Sequence, residues 1–429
     1  MIWYPYTIQK GSSTPPKIQR ASREFLYDSS GNSYIDAISS WWTSIHGHNH
    51  PKIMSAIKAQ LDCLDHVLLA GFSHDSAEKL GETLIWFTGD NFHRVFYSDN
   101  GSCGVEIAMK IAFQYFQNAG MNEKKEIIHF SLSYHGDTIG AMSVGGRSHY
   151  NENFSTLFFK SKEFTSPDCH NCPLNKIPSL CKTECLNELE NYTREFGKKI
   201  SSIIIEPVIQ GANGMIFYDG KVLRRLREIC DKEEILLVYD EVFTGFGKTG
   251  EKFAFEYAKA IPDILVLAKG LSGGTLPIAA TLVNRKVYDG FDSTELKKAF
   301  LHGHTMTGNP SACAASIASI EIFENEKSLE KVRALESKMA EYSKKLQSEF
   351  GEDFLKTRCL GAVCAMDVNV TKTGYMGIVS ETVKSKCIDK GVVIRPLGNV
   401  VYVTPPYNIG DDSLDRVFEA IRYAFTFLR

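Results

Sequence analysis

Two short apolar runs between Ile235 and Gly274 each end on a chemically active side chain, and that pairing limits the folds open to this chain more than any other feature. Ile235 to Tyr239 is four aliphatic residues and a tyrosine, and it closes on Asp240 and Glu241. Asp263 to Ala268 repeats the pattern and closes on Lys269, ahead of Gly270 and the Gly273-Gly274 pair. Continuous apolar runs of this length read as parallel strands buried on both faces. Ligands collect at the carboxyl edge of such sheets, so a carboxylate and an amine from neighbouring strand ends would face one pocket.

Pyridoxal phosphate catalysis needs both groups. An amine condenses with the cofactor aldehyde, while a carboxylate keeps the pyridine nitrogen protonated so that the ring withdraws electrons. Lys269 and Asp240 are the candidates. Taken alone, the same residues also suit a helix N-cap and a surface lysine. A phosphate-binding P-loop is a rival, because Gly247-Lys248-Thr249 matches the end of GxxxxGK[ST]. Val242 stands where that loop needs its first glycine, which argues against nucleotide hydrolysis.

With 429 residues, 43% of them hydrophobic, and a formal net charge of −3, the chain can bury one large core or two unequal ones. No basic excess points to nucleic acid, and no apolar segment approaches the ~20 residues that cross a membrane. The start, MIWYPYTIQKG, lacks the pattern of a signal peptide, so a cytoplasmic location is expected. The eleven cysteines then read as reduced thiols. Cys169, Cys172, Cys181 and Cys185 cluster in CHNCPLNKIPSLCKTEC. They form a CxxC and a CxxxC pair that fit no standard metal template closely, and no metal is assigned.

Along the rest of the chain, strands and helices alternate. FLYDSSGNSYID reads as a hairpin turning at residues 29–32, and Trp41-Trp42 follows it. If that segment is extended, two adjacent tryptophans cannot share one core, so at least one of them is expected at a cavity or interface. Arg94 to Tyr97 is a strand, and Ser98 to Ser102 leads into a helix. Gly101 and Ser102 would cradle a phosphate there, because the first helical amides are unpaired and the dipole favours an anion. Tyr134, after the strand Glu126 to Phe130, is placed to stack on a planar ring. The expected fold is α/β, with helices on both faces of a large, mostly parallel sheet over residues 51–314. A smaller α+β domain is expected from 1–50 and 315–429.

The chain resembles the class-III, fold-type-I pyridoxal phosphate aminotransferases along nearly its whole length. The resemblance rests on WYPYT (3–7), SSWWTSIHGHNHP (39–51), YHGDTIGAMSV (134–144), IIEPVIQGANGM (204–215), DEVFTGFGKTG (240–250), DILVLAKGLSGGT (263–275), HGHTMTGNPSACA (302–314) and RPLGNVVYVTPPY (395–407). WYPYT and SSWW point to the branch acting in biotin biosynthesis, in which S-adenosylmethionine aminates 8-amino-7-oxononanoate to 7,8-diaminononanoate. Another ω-aminotransferase, an aminomutase, or lysine as donor are the alternatives within the family.

The resemblance implies roles for individual residues. Lys269 would bind the cofactor and then move the proton between substrate and cofactor, Asp240 would pair with the pyridine nitrogen, and Tyr134 would stack on the ring. Gly101 and Ser102 would hold the phosphate, together with Thr305 reaching across from the partner in a homodimer. Arg395 would grip the keto acid carboxylate and Trp42 would line its aliphatic chain, with Tyr6, Gly303 and Tyr402 completing the substrate pocket. Lys248, His304 and Phe243 depart from the residues common in the family at those positions, which are arginine, proline and a small side chain.

Overall fold

The runs that end on Asp240 and Lys269 lie side by side at the centre of a seven-stranded sheet, in a computed structural model that describes residues 2–10, 15–148, 150–177, 179–370 and 377–429. Across the sheet the order is Arg94–Ser98, Ala279–Val283, Ile264–Leu267, Leu236–Asp240, Ile200–Ile205, Glu126–Phe130 and Lys162–Phe164. Ala279–Val283 is antiparallel to both neighbours; every other adjacent pair is parallel. Asp240 pairs in register with Val266, so Lys269 follows just beyond the level of the carboxylate at the same sheet edge.

Every residue of Ile200–Ile205, Leu236–Asp240, Ile264–Leu267 and Ala279–Val283 is buried, which requires cover on both faces. The two-residue period of a strand divides the cover. Leu236 and Val238 pack with Val105, Ile107 and Ile111 of the helix Gly101–Asn118. Leu237 and Tyr239 pack into the other core, with Leu223 and Leu226 of Lys221–Lys232. The first helix comes so close to the sheet that a Cβ on Gly104 would sit 2.8 Å from Val266 Cγ1.

The helix Pro310–Asn325 packs against Pro51–Cys63, Asp75–Phe87 and the turn Lys269–Ser272. Beyond it, Ser328–Phe350 and Asp411–Phe425 accompany a three-stranded antiparallel sheet of Leu355–Leu360, Val363–Val368 and Val400–Val403. The N-terminal hairpin forms at Phe25–Asp28 and Ser33–Asp36, and Asp28 Oδ1 accepts the amides of Ser30 and Asn32 to shape its turn. Its sheet takes a further strand, Val392–Val393, from the C-terminal part. Residue 314 falls inside the helix Pro310–Asn325. Among the described residues no helix is long and apolar enough to cross a membrane.

Candidate active site

Because the parallel strands all point one way, their carboxyl ends open together onto a cavity of about 710 Å³. Lys269 and Asp240 both line it, as do Tyr134, Gly101, Ser102 and Trp42. Lys269 has a positive φ of 48° at the start of a short 3₁₀ turn. Its Nζ lies 4.3 Å from the centre of the Trp42 ring and 5.7 Å from that of Phe243. Burial lowers its pKa from 10.5 to about 8, against the opposing pull of Asp240 and Glu206.

Asp240 Oδ1 accepts the amide of Val242, and Oδ2 meets His135 Nδ1 at 2.7 Å. Glu206 is buried beside them, accepting the amides of Tyr134 and Gly211. Burial pushes its pKa up to about 7, with Asp240 adding to the rise and His135 and the two amides opposing it. Tyr134 is held well above the ordinary phenol range, first by burial and then by its hydrogen bond with Tyr6.

The phosphate cradle expected at residues 98–102 is a strand, a turn and a helix start. Asn100 caps the helix, its side chain accepting from Cys103 N and its carbonyl from Gly104 N. Gly101 and Ser102 amides have no intrahelical acceptor by position. A Cβ on Gly101 would collide with Val242 at 2.7 Å, and one on Gly136 would collide with Ser102 at 2.4 Å, so both glycines keep the cradle open. Ser102 Oγ accepts the Thr138 amide at 3.1 Å and lies 2.8 Å from Thr138 Oγ1. A half-buried amine, a carboxylate on the neighbouring strand end and helix-start amides without an intrahelical acceptor together suit the aldehyde, ring nitrogen and phosphate of pyridoxal phosphate.

Of the expected substrate residues, Trp42 lines the cavity and Tyr6 meets Tyr134, while Tyr6, Arg395 and Tyr402 are not among its lining residues. The Tyr6 hydroxyl donates to Asp137 and lies 3.4 Å from the Tyr134 hydroxyl. Arg395 donates to the Tyr6 carbonyl at 3.1 Å, and its guanidinium lies 5.0 Å from the centre of the Trp41 ring. Trp42 Nε1 donates to the buried Tyr402 hydroxyl at 3.1 Å. Thr305 and Gly303 are exposed and do not line this cavity. His304 Nδ1 lies 2.8 Å from Asp99 Oδ2 at its rim.

The tryptophans are divided as expected, with Trp42 buried and Trp41 37% exposed, but their segment is not extended. Ser39 to Trp42 all have positive φ, a left-handed turn that no propensity rule predicts for four non-glycine residues. His135, Asp137, Thr138 and Val242 were not singled out from the sequence, although they occupy the same strand-end segments as Tyr134 and Asp240. Glu206 carried a usable signal, a carboxylate at the end of an apolar run. The four clustered cysteines are free thiols, and among the described residues no three His, Cys, Asp or Glu side chains are placed to hold a metal ion.

Residues 7–425 match the family model described as Aminotransferase class-III. Among curated proteins, the chain is 38% identical to an adenosylmethionine-8-amino-7-oxononanoate aminotransferase of Nitratidesulfovibrio vulgaris, over 99% of this chain and 80% of the relative. It is 37% identical to the protein of the same name from Geobacter sulfurreducens, over 98% and 94%. The crystal structure of the Methanocaldococcus jannaschii protein of that name superposes with a TM-score of 0.92 at 33% identity, covering 100% of this chain and 97% of that one. An amine transaminase from an uncultivated Pseudomonas species, in its PLP-bound form, superposes with a TM-score of 0.94 at 29% identity, covering 100% and 99%.

Proposed function

The chain belongs to the class-III aminotransferases, and from that premise we propose that it moves the amino group of S-adenosylmethionine to 8-amino-7-oxononanoate in biotin biosynthesis. It is a pyridoxal phosphate-dependent aminotransferase of fold-type I. When bound, the cofactor supplies an aldehyde that accepts amino groups and a ring that withdraws electrons.

The protein's own residues would do the rest. Lys269 Nζ, with a pKa lowered to about 8, holds a neutral amine at mildly alkaline pH and can take a proton from the donor's α-carbon and return it. Asp240, fixed by His135 and the Val242 amide, presents a negative charge to a protonated ring nitrogen. Gly101 and Ser102 offer amides and a hydroxyl to the phosphate, and Tyr134 gives a flat face to the ring. The rings of Trp42 and Phe243 lie beside Lys269 Nζ and would limit its contact with water.

One observation supports this substrate pair above others. Arg395 sits against Trp41 and donates to the Tyr6 carbonyl, while Trp42 lines the cavity and is backed by Tyr402, so a guanidinium and an aromatic surface would be available to a carboxylate with an aliphatic chain. A guanidinium fork fits the carboxylate, and each methylene laid on the aromatic wall contributes roughly 0.8 kcal/mol. The Tyr6 hydroxyl, bonded to Asp137 beside Tyr134, would meet the donor.

The working form would be a cytoplasmic homodimer. Residues 51–314 would bind the cofactor, and 1–50 with 315–429 would form the smaller body. Exposed Leu68, Phe72, Leu301 and Met306 supply apolar surface near Thr305, and a Cβ on Gly308 would lie 2.6 Å from Leu69, which sets the two loops side by side.

The test is the visible absorption spectrum before and after adding S-adenosylmethionine alone. Loss of the cofactor band supports the donor, an unmoved band that lysine discharges would replace it, and no band after adding pyridoxal phosphate would sink the reading.

A further inference from the structure

Four consecutive non-glycine residues adopt left-handed backbone: Ser39 (φ 49°), Ser40 (φ 44°), Trp41 (φ 71°) and Trp42 (φ 74°). A Cβ crowds the following carbonyl in that conformation, so such a run persists where its surroundings over-determine it. The turn then aims two large rings in different directions. Trp42 goes to Lys269 Nζ and the Tyr402 hydroxyl, and Trp41 goes to the Tyr6 ring, 5.4 Å away, and to Arg395.

The group that over-determines it is a carboxylate outside the cavity. Asp36 ends the strand Ser33–Asp36 and is fully buried. Its Oδ1 accepts the Ile38 amide at 3.3 Å, and its Oδ2 accepts the Ser40 hydroxyl at 2.7 Å and meets His48 Nε2 at 2.8 Å. His48 is itself fixed, because its amide and carbonyl exchange hydrogen bonds with Arg23. Burial favours the neutral acid, but the bonds to His48 and Ser40 outweigh it and keep the carboxylate charged. On the other side, the Ser39 hydroxyl donates to the Thr404 carbonyl at 2.8 Å.

We propose that Asp36 is a positioning residue for the reaction: by holding Ile38 and Ser40 it locks the left-handed turn that sets Trp42 against Lys269 and Trp41 against Tyr6 and Arg395. The inference rests on the reading of this cavity as the transamination site, and its first readout needs no substrate.

Asp36→Asn retains the shape but removes the charge and leaves one acceptor oxygen in place of two, so the side chain can no longer accept from the Ile38 amide and from the Ser40–His48 pair together. The near-ultraviolet circular dichroism of the tryptophans should weaken in the cofactor-loaded enzyme, and kcat/KM for the amino acceptor should fall about tenfold, mostly through KM. Glycine takes the left-handed conformation without steric cost, so Ser40→Gly added to Asp36→Asn should restore at least half of both losses. If Asp36→Asn does not fold, Ser40→Ala at this exposed position carries the test. It removes one of the carboxylate's bonds, and about a threefold rise in KM with weaker dichroism is expected. Unchanged dichroism and KM in the folded single variant would overturn the proposal, as would a double variant no better than Asp36→Asn. Altered dichroism without turnover of the proposed acceptor would fault the substrate assignment and leave the role of Asp36 standing.

Discussion

His135 Nδ1 lies 2.7 Å from Asp240 Oδ2, with both side chains shielded from solvent. The contact leaves His135 Nε2 buried with no hydrogen-bond partner among the described residues, so the imidazole's one side-chain bond there is to the carboxylate. A hydrogen bond to a charged group contributes about 1.5–3 kcal/mol. His135→Ala should therefore lower kcat roughly 10- to 100-fold with the fold intact, and Asp240→Asn should cost more, since it removes the charge itself. Steady-state rates alongside cofactor occupancy by absorbance check this. Equal rates for His135→Ala and the parent enzyme would show that Asp240 needs no support.

Lys269 predicts a pH dependence with a fixed sign. Its ammonium form cannot attack an aldehyde, and burial puts the transition at about pH 8, below the usual 10.5. The rate at which apo-protein captures pyridoxal phosphate, followed by the growth of the visible band, should rise about tenfold per pH unit below 8 and level off above it. A rise continuing to pH 10 would mean that Lys269 is not desolvated. Lys269→Ala should capture no cofactor covalently and should lose turnover while still folding.

Lys248 carries a stability prediction. It is fully buried, with its Nζ bonded to Thr404 Oγ1 at 3.2 Å and lying 5.2 Å from the Tyr407 ring centre. Burial, with the Lys269 charge nearby, lowers its pKa from 10.5 to about 7. The folded state then binds this proton less readily than the unfolded chain. The destabilisation is fully present below pH 7 and disappears as pH rises to 10.5. Lys248→Met should stabilise the apo-protein by on the order of a few kcal/mol near pH 6, and by only about 1 kcal/mol near pH 10, where the parent lysine is neutral in the fold and still partly charged in the unfolded chain. Urea unfolding at the two pH values separates this from a pH-independent packing effect.

How much of this was legible in the sequence depends on what each residue answers to. Asp240 and Lys269 could be placed because buried strands are marked by composition, and a polar residue ending such a strand must lie at the sheet's edge. The reversed direction of Ala279–Val283 leaves no mark, since an apolar run reads alike in both directions. Asp36 looked like an ordinary strand-end residue, because its role depends on Ser40 and His48 meeting it in space. Arg395 and Tyr402 were reachable through resemblance alone; what joins them to Trp41 and Trp42 is the meeting of the N-terminal segment with the C-terminal sheet. The cysteine cluster shows the reverse case, a conspicuous pattern whose thiols the fold does not gather into a metal site among the described residues.

Thr305 tests whether two protomers build each site. It is exposed and outside the cavity of its own chain, yet it sits in the segment whose resemblance assigns it to a phosphate. Thr305→Asp would set a carboxylate against that phosphate, and Lys269→Ala removes the amine, so each variant alone should be nearly inactive. In a mixed dimer, an arrangement in trans leaves one cavity carrying both lesions and the other carrying neither. Equal mixing after dissociation and reassembly should then recover about a quarter of parental activity, because half the dimers are mixed and each has one intact site. If Thr305 instead served its own chain, every cavity in the mixture would carry a lesion and activity would stay at the level of the separate variants. Sizing of the mixture by light scattering would confirm that dimers had formed, so that an inactive mixture counts against the shared site and not against the exchange.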